Sequence, residues 1–147
     1  MIIDTTRFGP VEVDDDRVIV FSRGLLGFSH ATRFALLEPA DNSHFFWLQC
    51  CDVPELAFVV TDPSLFVKDY VVPLKREQME ALGMESLEQA QVFVIVNRRG
   101  NQLTGNLQGP LVIHTERRTG EQLVLSDKRF HTRVPLVDLG GQATASA

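Results

Sequence analysis

Residues 45–61 contain two apolar runs separated by a short acidic break, and this pattern constrains the fold more than any other part of the chain. The first run is FFWL at 45–48, and the second is LAFVV at 56–60. Aromatic and β-branched residues favour the pleated, half-buried surface of a sheet. Asp52 and Pro54 lie between the runs and are typical of turns. The pattern therefore predicts a β-hairpin.

Short apolar or alternating runs recur between turn signals throughout the first half of the chain. They predict six strands, at residues 2–8, 11–13, 17–21, 33–37, 45–50 and 56–61. Strands of this length and spacing are typical of an antiparallel sandwich or barrel. The expected fold class is mostly β, a small antiparallel β-barrel-like domain with one short helical insertion.

The helical insertion is predicted at residues 75–82, where apolar residues recur at helical spacing. Pro73 precedes this segment and Gly83 follows it, as is common at the two ends of a helix. A further turn of helix is predicted at 86–90. The insertion should pack on the β domain as a cap, because no linker separates it from the strands.

The second half of the chain returns to strands. The strongest prediction is at 91–97, whose centre, VFVIV, is an unbroken β-branched and aromatic run and should be central in the sheet. Further strands are predicted at 103–107, 111–115 and 122–125, with hairpin turns at 98–101 and 118–120. Residues 1–136 are expected to form a single domain. Residues 137–147 are expected to be a disordered tail, because residues 140–147 are small and polar and lack a burial pattern.

The charge pattern disfavours nucleic acid as a partner. The net charge is −5, and acidic residues concentrate at 14–16 and 52–55. Nucleic acid requires a basic stripe, whereas the arginine pairs at 98–99 and 117–118 are isolated. The aromatic residues lie in apolar runs, which disfavours an OB-like barrel that stacks bases. The acidic balance is compatible with a basic protein partner.

The residue types that most often carry catalysis or bind metals do not cluster in the sequence. The four histidines are scattered and form no metal-binding pair; they are His30, His44, His114 and His131. No motif of an activated nucleophile is present. Cys50 and Cys51 are adjacent in a predicted strand and point to opposite faces, so we expect two free thiols and a reducing compartment.

No signal peptide or membrane span is recognisable in the sequence. We therefore expect a cytoplasmic protein that is not an enzyme and needs no cofactor, metal or membrane contact. Protein binding is the default function for such a domain. The alternative is an unrecognised small β-barrel enzyme or metal-binding protein, and a pocket with converging histidine and carboxylate groups would favour it.

Six short segments carry a resemblance to a known family. They are GLLGF at 24–28, RFALLE at 33–38, WLQ at 47–49, PELAFVV at 54–60, NL at 106–107 followed by PLVI at 110–113, and QLVL at 122–125. In this order and spacing they strongly resemble the bacterial flagellar assembly factors of the FliW family. The resemblance extends from the first residue to about residue 136.

The resemblance implies a non-enzymatic, chaperone-like β-barrel protein that binds cytoplasmic flagellin. It also implies binding to CsrA, a small basic protein that represses translation of flagellin, as an alternative partner. Flagellin that occupies the factor leaves CsrA free to repress. Export of flagellin then releases the factor to capture CsrA, which relieves the repression.

Partner contacts are expected where turns and strand ends expose side chains. Alternation along residues 45–47 turns at least one aromatic side chain away from the core, and exposed aromatic residues often anchor interfaces. The acidic turn at 52–55 can meet basic side chains, and the bend at 109–110 should expose backbone groups. We therefore predict one binding surface composed of six residues: Phe46, Asp52, Glu55, Asn106, Gly109 and Pro110.

Overall fold

The computed structural model describes residues 1–38 and 44–139 of the chain. The strands in these residues are β1 (Ile2–Thr5), β2 (Gly9–Glu12), β3 (Ile19–Phe21), β4 (Arg33–Leu37), β5 (Phe45–Cys50), β6 (Ala57–Thr61), β7 (Ala90–Arg99), β8 (Gln102–Gly105), β9 (Leu111–His114), β10 (Thr119–Gln122) and β11 (Val134–Asp138). Helix α1 spans Arg76–Leu82, and short 3-10 helices span Asp15–Arg17, Pro63–Leu65 and Leu87–Gln89.

Seven of the strands close into a barrel in the order β3, β4, β5, β6, β7, β9 and β10, with β10 returning to β3. The predicted mostly β, barrel-like fold with one short helix is confirmed. Its description as antiparallel is wrong at one pair, because β10 runs parallel to β3. Strands cannot alternate in direction all the way round a closed barrel with an odd number of strands, so at least one parallel pair is required.

Strand β7 occupies the central position because it pairs with three other strands. Its partner along one edge is β6. Along the other edge, its first half pairs with β9 and its second half with β8. The prediction of a central strand at 91–97 is therefore confirmed. Strand β8 also pairs with β11, which extends the sheet beyond the barrel.

The predicted element boundaries agree best where the apolar runs are strongest. Strands β4 and β5 have the predicted bounds, and β5 and β6 form the predicted hairpin. Helix α1 begins one residue later than predicted and ends, as predicted, at Leu82. Gly83 caps it with a φ of 69°, which lies in the left-handed region that glycine favours. The strand predicted at 122–125 forms earlier, as β10, so the predicted turn at 118–120 is also displaced.

Strand β11 forms where no strand is predicted. Pro135 argues against a strand in the sequence because proline lacks a backbone N–H group. The described structure accommodates it because β11 pairs only with β8 and its register shifts between Pro135 and Val137. The expected domain boundary at 136 falls inside this strand, which overlaps the first residues of the expected disordered tail. Residues 140–147 of that tail lie outside the described residues.

Three apolar clusters hold the elements together. The barrel interior contains the fully buried residues Phe21, Phe34, Leu48, Val60 and Leu111. A second cluster includes the last residue of α1 and a residue of β9, and contains Leu82, Met84, Val112, Leu123 and Leu125. A third fixes the β1–β2 hairpin on β4 and contains Ile3, Val13 and Ala35. No helix in the described ranges has both the length and the apolar character that crossing a bilayer requires.

Candidate partner-binding surfaces

The aromatic residues at the start of β5 point to two different faces. Phe46 packs against the barrel core, and its ring centroid lies 5.9 Å from that of Phe93. Trp47 points the other way and makes an edge contact with Phe8 of the β1–β2 turn, with 6.1 Å between the ring centroids. The expectation that one of these aromatics faces away from the main core is correct for Trp47. Phe46, the residue assigned to the binding surface, faces inward.

An open groove lies beside the Trp47 face. Its volume is about 310 Å³, and it is lined by Phe8, Val11, Leu36, Leu37 and Glu38. The guanidinium of Arg7 lies 4.0 Å from the centre of the Trp47 ring, which is a cation–π contact. The β1–β2 hairpin and β4 therefore form an apolar groove with an aromatic and cationic rim. We call it the hairpin groove.

The acidic turn between β5 and β6 is exposed, as predicted. Asp52 is half-exposed and pairs with Arg33, whose Nε donates to Oδ2 at 3.1 Å and whose Nη2 also donates to the carboxylate. These hydrogen bonds hold the pKa of Asp52 below its usual range. Glu55 is exposed. Because Arg33 balances the charge of Asp52, Glu55 carries the net negative charge of this turn.

The buried side chain of Gln49 shapes the same turn. Its Nε2 lies 3.1 Å from the carbonyl oxygens of both Pro54 and Leu56. The buried Nε2 group is favourable only because it is hydrogen-bonded, so these bonds fix the path of the turn, whereas Oε1 has no hydrogen-bond partner among the described residues. A polar residue within an apolar strand is the sequence signal for such a buried amide, and no role for Gln49 was predicted from it.

The loop after β8 contains the remaining predicted residues, and most of it is covered. Asn106 is half-buried, and its Oδ1 accepts a hydrogen bond from the Gly109 N–H at 2.9 Å. Gly109 and Pro110 are buried, and their carbonyl oxygens accept from Gln122 Nε2 at 3.0 Å and Leu123 N at 2.9 Å. The expectation that this bend exposes free backbone groups is therefore wrong. Its carbonyl groups bond to the last residue of β10 and to the residue that follows this strand.

Three of the six predicted residues are covered, because Phe46 packs against the barrel core and Gly109 and Pro110 are buried. Phe46 lies near the start of β5, whereas the turn that contains Asp52 and Glu55 follows the end of that strand. A strand rises about 3.3 Å per residue, so at least about 13 Å separates Phe46 from that turn. Asn106 and its neighbours instead support a different surface, through Gln122.

A third surface, which was not predicted from the sequence, lies between the 24–27 loop, β10 and α1. Two adjoining grooves of about 280 and 210 Å³ share Arg23, Glu121 and Gln122. We call it the loop–helix surface and define it by six residues: Arg23, Leu26, Glu77, Glu121, Gln122 and Val124. The N–H of Leu26 donates to Gln122 Oε1 at 2.7 Å, and Gln122 connects in turn to Gly109.

A sequence signal for the loop–helix surface was present in the GLLGF segment. Gly24 and Gly27 have φ values of 67° and 85°, which glycine adopts without strain. A Cβ atom at Gly24 would also lie 2.5 Å from the Phe28 carbonyl oxygen. The two glycines therefore form a tight loop that presents Leu26 to solvent. Glu121 gave no comparable signal, because its position depends on closure of the barrel.

One pocket brings a histidine and a carboxylate together, the feature that would favour the enzyme alternative. It is lined by His44, Phe46, Asp62, Leu65, Gln91 and Phe93. The Asp62 carboxylate, however, caps a 3-10 helix by accepting from Ser64 N at 2.9 Å and Ser64 Oγ at 2.7 Å. Its other oxygen accepts a long bond of 3.4 Å from Gln91 Nε2. These contacts give Asp62 a structural role.

The two cysteines are free thiols. Cys50 is buried in the barrel core. Burial raises the pKa of the Cys51 thiol to about 11, so this thiol is protonated near neutral pH. A protonated thiol is a poor nucleophile and a poor metal ligand.

The sequence model of the FliW protein family matches residues 2–136. The chain belongs to the FliW family. The flagellar assembly factor FliW of Bdellovibrio bacteriovorus is 40% identical over 138 residues, which cover 92% of this chain and 79% of the relative. The flagellar assembly factor FliW of Geobacter sulfurreducens is 36% identical over 147 residues, which cover 99% of this chain and 92% of the relative.

The fold agrees with this assignment. A crystal structure of the flagellar assembly factor FliW matches with a TM-score of 0.85 and 28% sequence identity, over 93% of this chain and 97% of that chain. The resemblance inferred from the six short segments is therefore confirmed. The relatives are named as assembly factors, which is a role in building the flagellum.

Proposed function

We propose that this protein is a non-enzymatic, cytoplasmic assembly factor that binds flagellin and, alternatively, the translational regulator CsrA. The observation that carries the proposal is the FliW family match over residues 2–136. Bound flagellin leaves CsrA free to repress flagellin synthesis. When flagellin is exported, the protein binds CsrA and relieves the repression.

The hairpin groove supports the flagellin half of the proposal. Four of its five lining residues are apolar, and the side chain of Phe8 is 46% exposed. Solvent-exposed apolar grooves bind amphipathic helices, which place apolar residues on one face. A helix from the end of an unassembled flagellin chain would bury that face here and would be shielded from aggregation.

The charge of the protein supports the CsrA half. With a net charge of −5, the protein attracts a basic partner at long range and accelerates encounter. Glu55 and the exposed acidic residues at 14–16 contribute to this field. Of the six residues predicted from the sequence, Asp52 and Glu55 are exposed and available for direct contact. Asn106 and Gly109 instead contribute through the hydrogen bonds that hold the Gln122 side chain.

Calorimetry with the full chain tests the proposal. The protein is titrated with the C-terminal segment of flagellin and, separately, with purified CsrA. We expect saturable binding to each partner, and we expect flagellin bound beforehand to weaken binding of CsrA. Absence of saturable binding to both partners would contradict the proposed function. Simultaneous binding of both at full affinity would contradict the switch.

A further inference from the structure

We infer that the loop–helix surface binds a basic side chain of CsrA, with the Glu121 carboxylate as the receiving group and Leu26 and Val124 as its apolar border. The inference rests on the function proposed above and adds the location and chemistry of one contact. It concerns a surface distinct from the hairpin groove.

Glu121 is the central observation. Its side chain is only 10% exposed, yet its one ion pair among the described residues is with Arg23, at 3.8 Å. That separation is too long for a hydrogen bond. The Arg23 side chain is 80% exposed and is largely solvated. The side chain of Glu121 is therefore held in place by the protein and faces two open grooves, while its ion-pair partner is distant. A cation that approaches directly would form a shorter, charge-assisted hydrogen bond with the carboxylate.

The apolar border gives the site the arrangement of an interface anchor. The exposed fractions of Leu26 and Val124 are 59% and 66%. Leu26 lines the groove on one side of Glu121, and Val124 lines the groove on the other side. A partner that covers both residues would exclude water around the carboxylate. Exclusion of water strengthens a charge-assisted hydrogen bond at the centre of an interface.

The charge of the surface selects the kind of partner. Glu77 of α1 lines the same groove as Glu121, and Arg23 is the basic residue among the six that define the surface. Phosphate groups of nucleic acid or lipid would be repelled by the two carboxylates. An arginine or lysine with aliphatic neighbours, presented by a basic protein, satisfies both the charge and the apolar border. Of the two proposed partners, CsrA is the basic one.

The test compares Glu121→Gln with the wild-type protein. Glutamine keeps the shape of the side chain and removes its charge. In calorimetry we expect the affinity for CsrA to fall by at least about tenfold, as when one partner of a buried charge pair is removed. The affinity for the flagellin segment should be unchanged. Glu88→Gln serves as the matched control, because Glu88 is an exposed glutamate outside the surface, and it should leave both affinities unchanged.

A second variant protects the test against misfolding. Leu26→Ala alters an exposed loop residue and should weaken CsrA binding about three- to tenfold without lowering the melting temperature. Wild-type binding to CsrA that neither variant weakens would overturn the inference and leave the proposed function intact. Failure of wild-type protein to bind CsrA would overturn both. Sedimentation that shows a wild-type dimer lost in Glu121→Gln would assign the surface to self-association and also overturn the inference.

Discussion

The parallel contact between β3 and β10 closes the barrel, and substitution of Gly120 tests it directly. Gly120 pairs with Phe21 in the register of these strands. A Cβ atom built on Gly120 would lie 2.5 Å from Phe21 Cε2 and 2.6 Å from Cζ. The Phe21 ring has no free space in which to retreat, because it is fully buried against Phe34. Gly120→Ala should therefore destabilise the protein although alanine is a better strand residue than glycine.

The magnitude follows from the distances. The Phe21 ring would have to move by about 0.9 Å to restore an ordinary contact of 3.4 Å. Overpacking a dense core by one methyl group costs about 1–3 kcal/mol, and this closely confined site belongs near the upper limit. Replacing glycine by alanine restricts the unfolded chain and returns about 0.4–1 kcal/mol. The expected net loss is about 2 kcal/mol, or roughly 6 °C in melting temperature for a domain of this size.

Urea denaturation followed by circular dichroism measures the loss in free energy of unfolding. The decisive control is the same substitution in a Phe21→Leu background, where the smaller side chain leaves room for the added methyl group. The cost of Gly120→Ala should fall there by at least about 1 kcal/mol. Equal costs in the two backgrounds, or a stabilising effect in the wild type, would refute the contact between Gly120 and Phe21.

Three further outcomes are expected. Asp52→Asn should cost at most about 1 kcal/mol in urea denaturation at pH 7, because the pair with Arg33 is half-exposed. Folding lowers the pKa of Asp52, so this contribution is present above the pKa of the unfolded chain and is lost as the pH falls through the lower pKa of the folded protein. The free energies of unfolding of wild type and variant should therefore converge in acid. Alkylation of Cys51 by iodoacetamide at pH 7.5 should be about a hundredfold slower than alkylation of a free thiol, and its rate should rise until about pH 11. An alkylation rate that reaches a plateau near pH 8 would contradict the raised pKa. Phe8→Ala should weaken flagellin binding about tenfold, whereas Ile2→Ala, a control at an exposed residue outside the hairpin groove, should not.

The sequence predicted the parts of the fold that depend on local pattern. β4 and β5 could be bounded to the residue because turn-forming residues in the sequence flank their apolar runs. β10 could not, since the QLVL segment resembles a strand more than the TGEQ segment that forms one. Leu123 and Leu125 do bond to the backbone, but irregularly, to the carbonyl groups of Pro110 and Gln108. The observed strand instead follows from Gly120, whose missing side chain admits Phe21.

The candidate surfaces were harder to predict because their residues are distant in the sequence. Alternation along β5 correctly indicated an outward aromatic residue, but it did not say that Trp47 rather than Phe46 faces away from the barrel core. Leu26 and Gln122 are separated by 96 positions and meet only when the barrel closes. Glu121 looks like an ordinary surface glutamate in the sequence. Its burial becomes apparent only with the 24–27 loop and α1 in place.

The two hydrogen bonds of the Gln122 side chain have a consequence for how fast partners bind and leave. Because this amide already joins the 24–27 loop to Gly109, the free protein has met the entropic cost of ordering that loop. A partner that docks on the loop–helix surface loses only its own conformational freedom and binds in a single step. Changes within this surface would then alter the residence time of its partner more than the rate of capture. Release of a partner from such a surface would be as quick as its dissociation, with no slow reordering of the loop to follow.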